Sequence, residues 1–136
     1  MPKYYTELYY HLVWATWRRY PFMVPDIQTP IYRYLNYQCR KNDFHLYAVN
    51  GIEDHIHVVI SLNPTVCISE TIKQLKGSTA HFCNNRLSLD HIFKWQQGYG
   101  ALTIDKRALP NVVSYVKNQK QHHKNNHLHS FFEIQE

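Results

Sequence analysis

Hydrophobic positions along the chain switch between a two-residue and a 3.6-residue period, and each switch marks an element. Residues 8–16, LYYHLVWAT, are β-branched and aromatic, which predicts a strand ending before the turn-forming WRRYPFMVP. Ile27, Ile31, Tyr34, Leu35 and Gln38/Cys39 then recur at helical spacing, predicting a helix over about 26–42 with Asp26 or Thr29 as its cap and Pro30 in its first turn. FHLYAVN (44–50) alternates as a strand, a turn is expected over Gly51 to Asp54, and HIHVVISL (55–62) returns as its antiparallel partner. Beyond Pro64, Ile68, Ile72, Leu75, Thr79 and Phe82/Cys83 share one face of a second helix, with Lys73 and Lys76 off it. Gly77 weakens that helix by about 1 kcal/mol relative to Ala, so close approach of another group is expected there. YGALTID (99–105) is a fourth strand, introduced by the glycines of WQQGYG. A last helix over about 108–125 carries the stripe Leu109, Val112, Val113 and Val116. The order β-α-β-β-α-β-α predicts an α+β fold in one domain, residues 1–136. It is a split-βαβ, ferredoxin-like sandwich with a four-stranded antiparallel sheet, two helices on one face and an extra C-terminal helix.

Charge changes the picture more than composition does. The net charge is +5, and between Lys73 and Lys124 nine Lys/Arg face only Asp90 and Asp105, whereas the remainder is slightly acidic. A basic half of this kind suits a polyanion such as nucleic acid. The three cysteines, Cys39, Cys67 and Cys83, have no CxxC spacing and are expected to be reduced, mostly buried thiols. Nothing matches GxxxxGK[ST], which argues against nucleotide-driven chemistry. No apolar run approaches the roughly 20 residues of a membrane span, and the first residues lack a signal-peptide pattern, so a soluble, cytoplasmic protein is expected.

The candidate chemistry begins with two histidines in a strand that aliphatic residues would fill more easily. His55 and His57 are two apart and therefore share a face, roughly 7 Å apart along the backbone, with Ile56, Val58, Ile60 and Leu62 supplying burial on the other. The pair suits two imidazoles converging on a metal in a cleft, and equally a hydrogen-bonded pair within a sheet. On the last helix Tyr115 and Gln119 are four apart and so neighbours. A His, His, Gln set with open positions suits Mg²⁺ or Mn²⁺ better than zinc. A tyrosine attacking a phosphodiester conserves the bond energy, but a phenol of pKa about 10 needs help at neutral pH. A divalent ion that polarises the phosphate supplies it. One tyrosine among eleven is by itself far more readily a packing residue.

DHIHVV, WQQGYGALT and VVSYVKNQKQHH, in this order, together resemble the single-tyrosine HUH (His, hydrophobic, His) transposases of the insertion-sequence 200/605 family. WQQGYG and NQKQHH also resemble relatives associated with repeated extragenic palindromes. The resemblance implies a ferredoxin-like or RRM-like core, with Tyr115 as nucleophile and His55, His57 and Gln119 as metal ligands. It further implies cleavage and rejoining of single-stranded DNA at hairpin-marked ends through a 5′-phosphotyrosine. A homodimer is implied too, with a continuous sheet and with active sites shared between subunits. Lys73, Lys76, Arg86, Lys94 and Lys117 are candidate DNA contacts. Arg107 and Ala108 replace an expected small polar cap, leaving Asp105 as the cap of the catalytic helix. His122, His123, His127 and His129 form a tail expected to be solvated or DNA-facing. Rival readings are a domesticated palindrome-associated nuclease, a replication initiator or relaxase, and an RRM-like binder. The last expects aromatics rather than histidines displayed on the sheet.

Overall fold

The computed structural model describes residues 4–119. Its elements are β1 (Tyr9–Ala15), a 3-10 turn (Trp17–Arg19), α1 (Pro25–Lys41), β2 (His45–Ile52), β3 (His55–Ser61), α2 (Ile68–Arg86), β4 (Gly100–Ile104) and α3 (Leu109–Lys117). The strands form one antiparallel sheet in the order β2-β3-β1-β4, the ferredoxin-like arrangement expected from the element order. Among the described residues no helix is long and apolar enough to cross a membrane.

Alternation divides the sheet into two unlike faces. Leu12, Trp14, Ile56, Val58 and Ile60 point to one side, where Ile27, Ile31 and Leu35 of α1 and Ile72 and Leu75 of α2 cover them. The other side carries Ala48, Val59 and Ile104, and α3 lies on it through Val112, Tyr115 and Val116. The extra helix is therefore not an appendage but the cover of the second face.

Several local expectations are corrected. Neither Asp26 nor Thr29 caps α1; the helix starts with Pro25 at its first position, where the missing N–H costs nothing. Strand β2 runs on through Gly51 to Ile52, leaving Glu53 and Asp54 as a two-residue turn. Among the described residues the close approach expected at Gly77 is absent, since a Cβ there would meet none of them within 4 Å. It occurs instead at Gly51, paired with Ile56, where a Cβ would overlap the His55 carbonyl oxygen. The described helix α3 stops at Lys117, with Asn118 as its cap, and residues 120–125 of the expected helix lie outside the described residues. Asp105 is not the cap of α3, whose N-cap is Ala108 with no side-chain bond; it closes the preceding turn instead, accepting the Arg107 N–H at 2.9 Å. Cys39 and Cys83 are buried, their thiols pushed up to about 12 by burial, but Cys67 is exposed at the start of α2.

The two glycines give opposite expectations for one substitution. Gly51→Ala must push β2 away from β3 and should cost roughly 1–3 kcal/mol. Gly77→Ala, in an open helical position, should stabilise by up to about 1 kcal/mol. Thermal melts of the two variants check this, and equal melting temperatures would contradict the packing at Gly51.

Candidate active site

His55 and His57 lie on the α3 side of the sheet, with ring centroids 5.1 Å apart. Their neighbours follow from the register: Ala15 and Ile52 flank His55, and Val13 and Asn50 flank His57. The histidine face was expected to be an open cleft floor, but α3 covers it. His55 is 2% exposed, His57 and Gln119 are 0% and Tyr115 is 7%. The Tyr115 ring stands edge-on to His57 with centroids 6.2 Å apart. Asn50, across the strand from His57, donates from Nδ2 to the Lys117 carbonyl at 2.9 Å and so moors the end of α3 over the pair. Within one chain, then, the tyrosine helix already reaches its own HUH strand. Gln119 follows the Asn118 cap, buried like Tyr115 one turn before it.

Both histidines are oriented through Nδ1. In His55 this nitrogen lies 2.8 Å from Asp54 Oδ1 and 3.1 Å from an Arg19 guanidinium nitrogen. A carboxylate only accepts and a guanidinium only donates, so the shorter contact selects the Nδ1–H tautomer of His55. Arg19 in turn pairs with Asp54 at 3.3 Å. Burial pushes the Asp54 carboxyl up, but hydrogen bonds from His55 and Arg19 outweigh it and hold the group below the usual carboxylate range.

His57 Nδ1 is engaged by a residue that the sequence reading missed. His11 Nε2 lies 2.8 Å from it, with His11 fully buried on β1. The two imidazoles share one proton along this bond. If His57 donates, its Nε2 carries a lone pair; if His11 donates, it does not. The strand pattern of LYYHLVWAT puts His11 on the same side as Val13 and Ala15. Its position diagonal to His57 depends on the β1–β3 register, in which Val13 opposes His57 and His11 opposes Val59.

The donor chemistry is compatible with a divalent ion. With both Nδ1 atoms engaged, a metal would be met by Nε2 of His55 and His57, the orientation that carboxylate-backed and hydrogen-bonded metal histidines adopt. Among the described residues no three His, Cys, Asp or Glu side chains are grouped as a metal site.

The candidate DNA contacts separate into groups. Lys73, Lys76 and Lys94 gather around residues 94–99, where Lys76 Nζ donates to the carbonyls of Gln96 and Gly98 at 2.7 and 2.9 Å. Arg86 instead lines a groove with Tyr34, Tyr37, His81 and Phe82 on the α1 and α2 side. Lys117 is exposed at the end of α3. His122, His123, His127 and His129 lie outside the described residues.

The family described as "Transposase IS200 like" matches residues 4–119. The chain belongs to that family. It is therefore an IS200-like transposase, a DNA-cutting enzyme by family. It is 23% identical over 118 residues to the ISDra2 transposase TnpA of Deinococcus radiodurans, covering 83% of this chain and 84% of that protein. A solved transposase structure from Deinococcus radiodurans R1 superposes with a TM-score of 0.69 at 27% identity, over 88% of this transposase and 95% of the other chain. A REP-associated tyrosine transposase bound to a REP hairpin shares the fold, with a TM-score of 0.66 at 16% identity over 90% and 74% of the two chains.

The Asp54 arrangement has a testable pH signature. Its folded pKa lies below an unfolded value of about 3.9, so it adds stability that is complete above that value and is lost as pH falls through the folded one. The melting temperatures of wild type and Asp54→Asn should differ most above about pH 5, and the difference should shrink as pH falls below about 4. A difference that is constant with pH would exclude ionised Asp54 as the partner.

Proposed function

We propose that this transposase cleaves and rejoins single-stranded DNA at hairpin-marked ends by attack of Tyr115 on a phosphodiester, with a divalent ion held by His55, His57 and Gln119. The observation that carries the reading is the juxtaposition of the Tyr115 and His57 rings under α3. The REP hairpin bound by the structural neighbour supports hairpins as the DNA feature recognised.

In this reading the Tyr115 oxygen bonds to phosphorus as the phenol gives up its proton, and the bond from phosphorus to the 3′-oxygen breaks as that oxygen takes one up. The products are a 5′-phosphotyrosine and a free 3′-hydroxyl, and the reverse step rejoins a strand with no net consumption of protons. Mg²⁺ or Mn²⁺, when bound, would polarise the phosphate and offset charge in the transition state. His11 and Asp54 hold the two imidazoles through Nδ1, and Asn50 holds α3 over them. Because Tyr115 and His57 are covered, DNA gains the pair only when α3 yields part of its seat on the sheet. A homodimer is supported by β4, an edge strand whose Ala101, Leu102 and Thr103 are exposed. Sharing sites between two copies would require α3 to exchange its seat on β2 and β3.

The decisive experiment incubates the protein with Mg²⁺ or Mn²⁺ and hairpin-bearing single strands, and reads a covalent adduct that survives denaturation. Tyr115→Phe should abolish the adduct and leave hairpin binding intact; an undiminished adduct excludes Tyr115 as nucleophile. His57→Ala should prevent cleavage at any ordinary Mg²⁺ or Mn²⁺ concentration, and unchanged cleavage would make the strand histidines purely structural.

His11→Ala should weaken Mn²⁺ binding, measured calorimetrically on the DNA-free protein, by about 10- to 100-fold, the usual effect of losing a partner behind a metal ligand. Unaltered affinity in a variant that still melts cooperatively would show that His11 only packs.

A further inference from the structure

We propose that the groove at the end of β1, lined by Trp17, Lys76, Lys94, Trp95, Gln96 and Gln97, is a base-recognition subsite for one nucleotide of the single strand flanking the scissile phosphate. The proposal rests on the DNA-cleavage reading above and adds where, and with what chemistry, a base is read.

Its position relative to the histidines follows from hydrogen bonding. Ala15 pairs with His55 across β1 and β3, and its carbonyl accepts the Gln96 N–H at 2.8 Å on its other side. With strands about 4.8 Å apart, the Gln96 backbone runs about 10 Å from that of His55. Thr16 continues the connection, bridging to Trp95: it is buried, its N–H bonded to the Asp54 carbonyl at 2.9 Å. Trp95 packs edge-on against Trp14 in the core, and Lys94 and Gln96 on either side of it line the groove with Trp17.

The lining has the chemistry of a base platform. Lys94 Nζ lies over the Trp17 ring at 4.0 Å from its centroid and the Arg18 guanidinium at 5.1 Å, cation–π contacts that a stacking base would replace, leaving both charges free for its phosphates. Such sets hold a single strand by stacking its bases and attracting its phosphates. Gln96 adds an edge reader. Its Oε1 accepts the Arg18 backbone N–H at 2.8 Å, and a backbone N–H can only donate, so the amide oxygen faces inward and the Nε2 donors face away from that bond. Gln96 is thereby suited to an acceptor on a base edge, such as purine N7.

The groove is also held rigidly to the catalytic side. Lys76 fastens its outer rim through the Gln96 and Gly98 carbonyls. Arg18 and Arg19 both have left-handed backbone, with φ of 51° and 55°, an uncommon state for residues with side chains. That strained pair aims the Arg18 N–H at Gln96 and the Arg19 side chain at Asp54 and His55. The volume of about 470 Å³ is within the range of small-ligand clefts.

The test reads binding and cleavage separately. Wild type in EDTA is titrated into short single strands of an element end, each carrying 2-aminopurine at a different position, at one fixed salt concentration. Quenching is expected at one position near the cut. Trp17→Ala should remove that quenching and weaken binding about five- to a hundredfold, and Trp17→Phe should restore most of both. With Mg²⁺ and strands randomised around the cut, Gln96→Leu should flatten the base preference at the same position and leave the others. Unchanged quenching in Trp17→Ala, or an unchanged preference in Gln96→Leu, with wild-type melting temperatures, overturns the proposal. Should Trp17→Ala not fold, wild-type quenching together with the Gln96→Leu preference decides. If wild type cleaves no strand, the DNA-cleavage reading fails, and the quenching arm still decides whether the groove takes a base.

Discussion

A buried imidazole is costly unless its nitrogens are engaged, and this sheet buries three of them on one face. His11, His55 and His57 therefore dictate much of what surrounds them. Asp54 must sit at the β2–β3 turn to meet His55, and Arg19 must reach back to Asp54. His11 must lie diagonal to His57 across β1 and β3. Gly51 lets β2 come close enough beside His55 for the turn to hold. The tight turn, the left-handed arginines and the strand register are thus consequences of one need, that of orienting two histidines through the same ring nitrogen.

Helix α3 answers a second need. The opposite face is an apolar core, covered by α1 and α2 with Met23, Phe93 and Trp95 beside them. The histidine face has too few aliphatic residues to close by itself, and α3 supplies Val112, Tyr115 and Val116. That small apolar seat, with the Asn50 tether at its end, makes Tyr115 both a structural cover and a ring set edge-on to His57.

How far the sequence could be read depended on whether a feature was local. The two-residue period of HIHVVISL and the 3.6-residue periods of α1 and α2 are local, and the strand order followed from their succession. His55, His57, Tyr115 and Gln119 were legible because a motif carried them, although the burial of the first three under α3 was not. His11 was visible as a strand residue, yet its role hangs on a register that no single strand encodes. Gly77 and Gly51 show the same limit from the other side. Both are glycines within regular elements, and only the packing of β2 against β3 reveals which one has no room for a Cβ. Pro25 displaced the expected caps of α1 because a missing N–H is as good a start as a side-chain acceptor.

The segment from Phe93 to Gly98 joins these separate needs. Trp95 packs into the core against Trp14 and Phe93, while Lys94, Gln96 and Gly98 meet Trp17, Arg18 and Lys76. Each anchor on one side thereby sets the position of a polar group on the other: the depth of Trp95 determines where Gln96 meets Arg18, and the Lys76 ammonium determines where the backbone turns at Gly98. Core packing and polar display are usually separable in a sheet protein, but here a one-residue slip would turn Gln96 inward and Trp95 outward. Specific packing on the aliphatic side is therefore a condition for any specific chemistry on the histidine side.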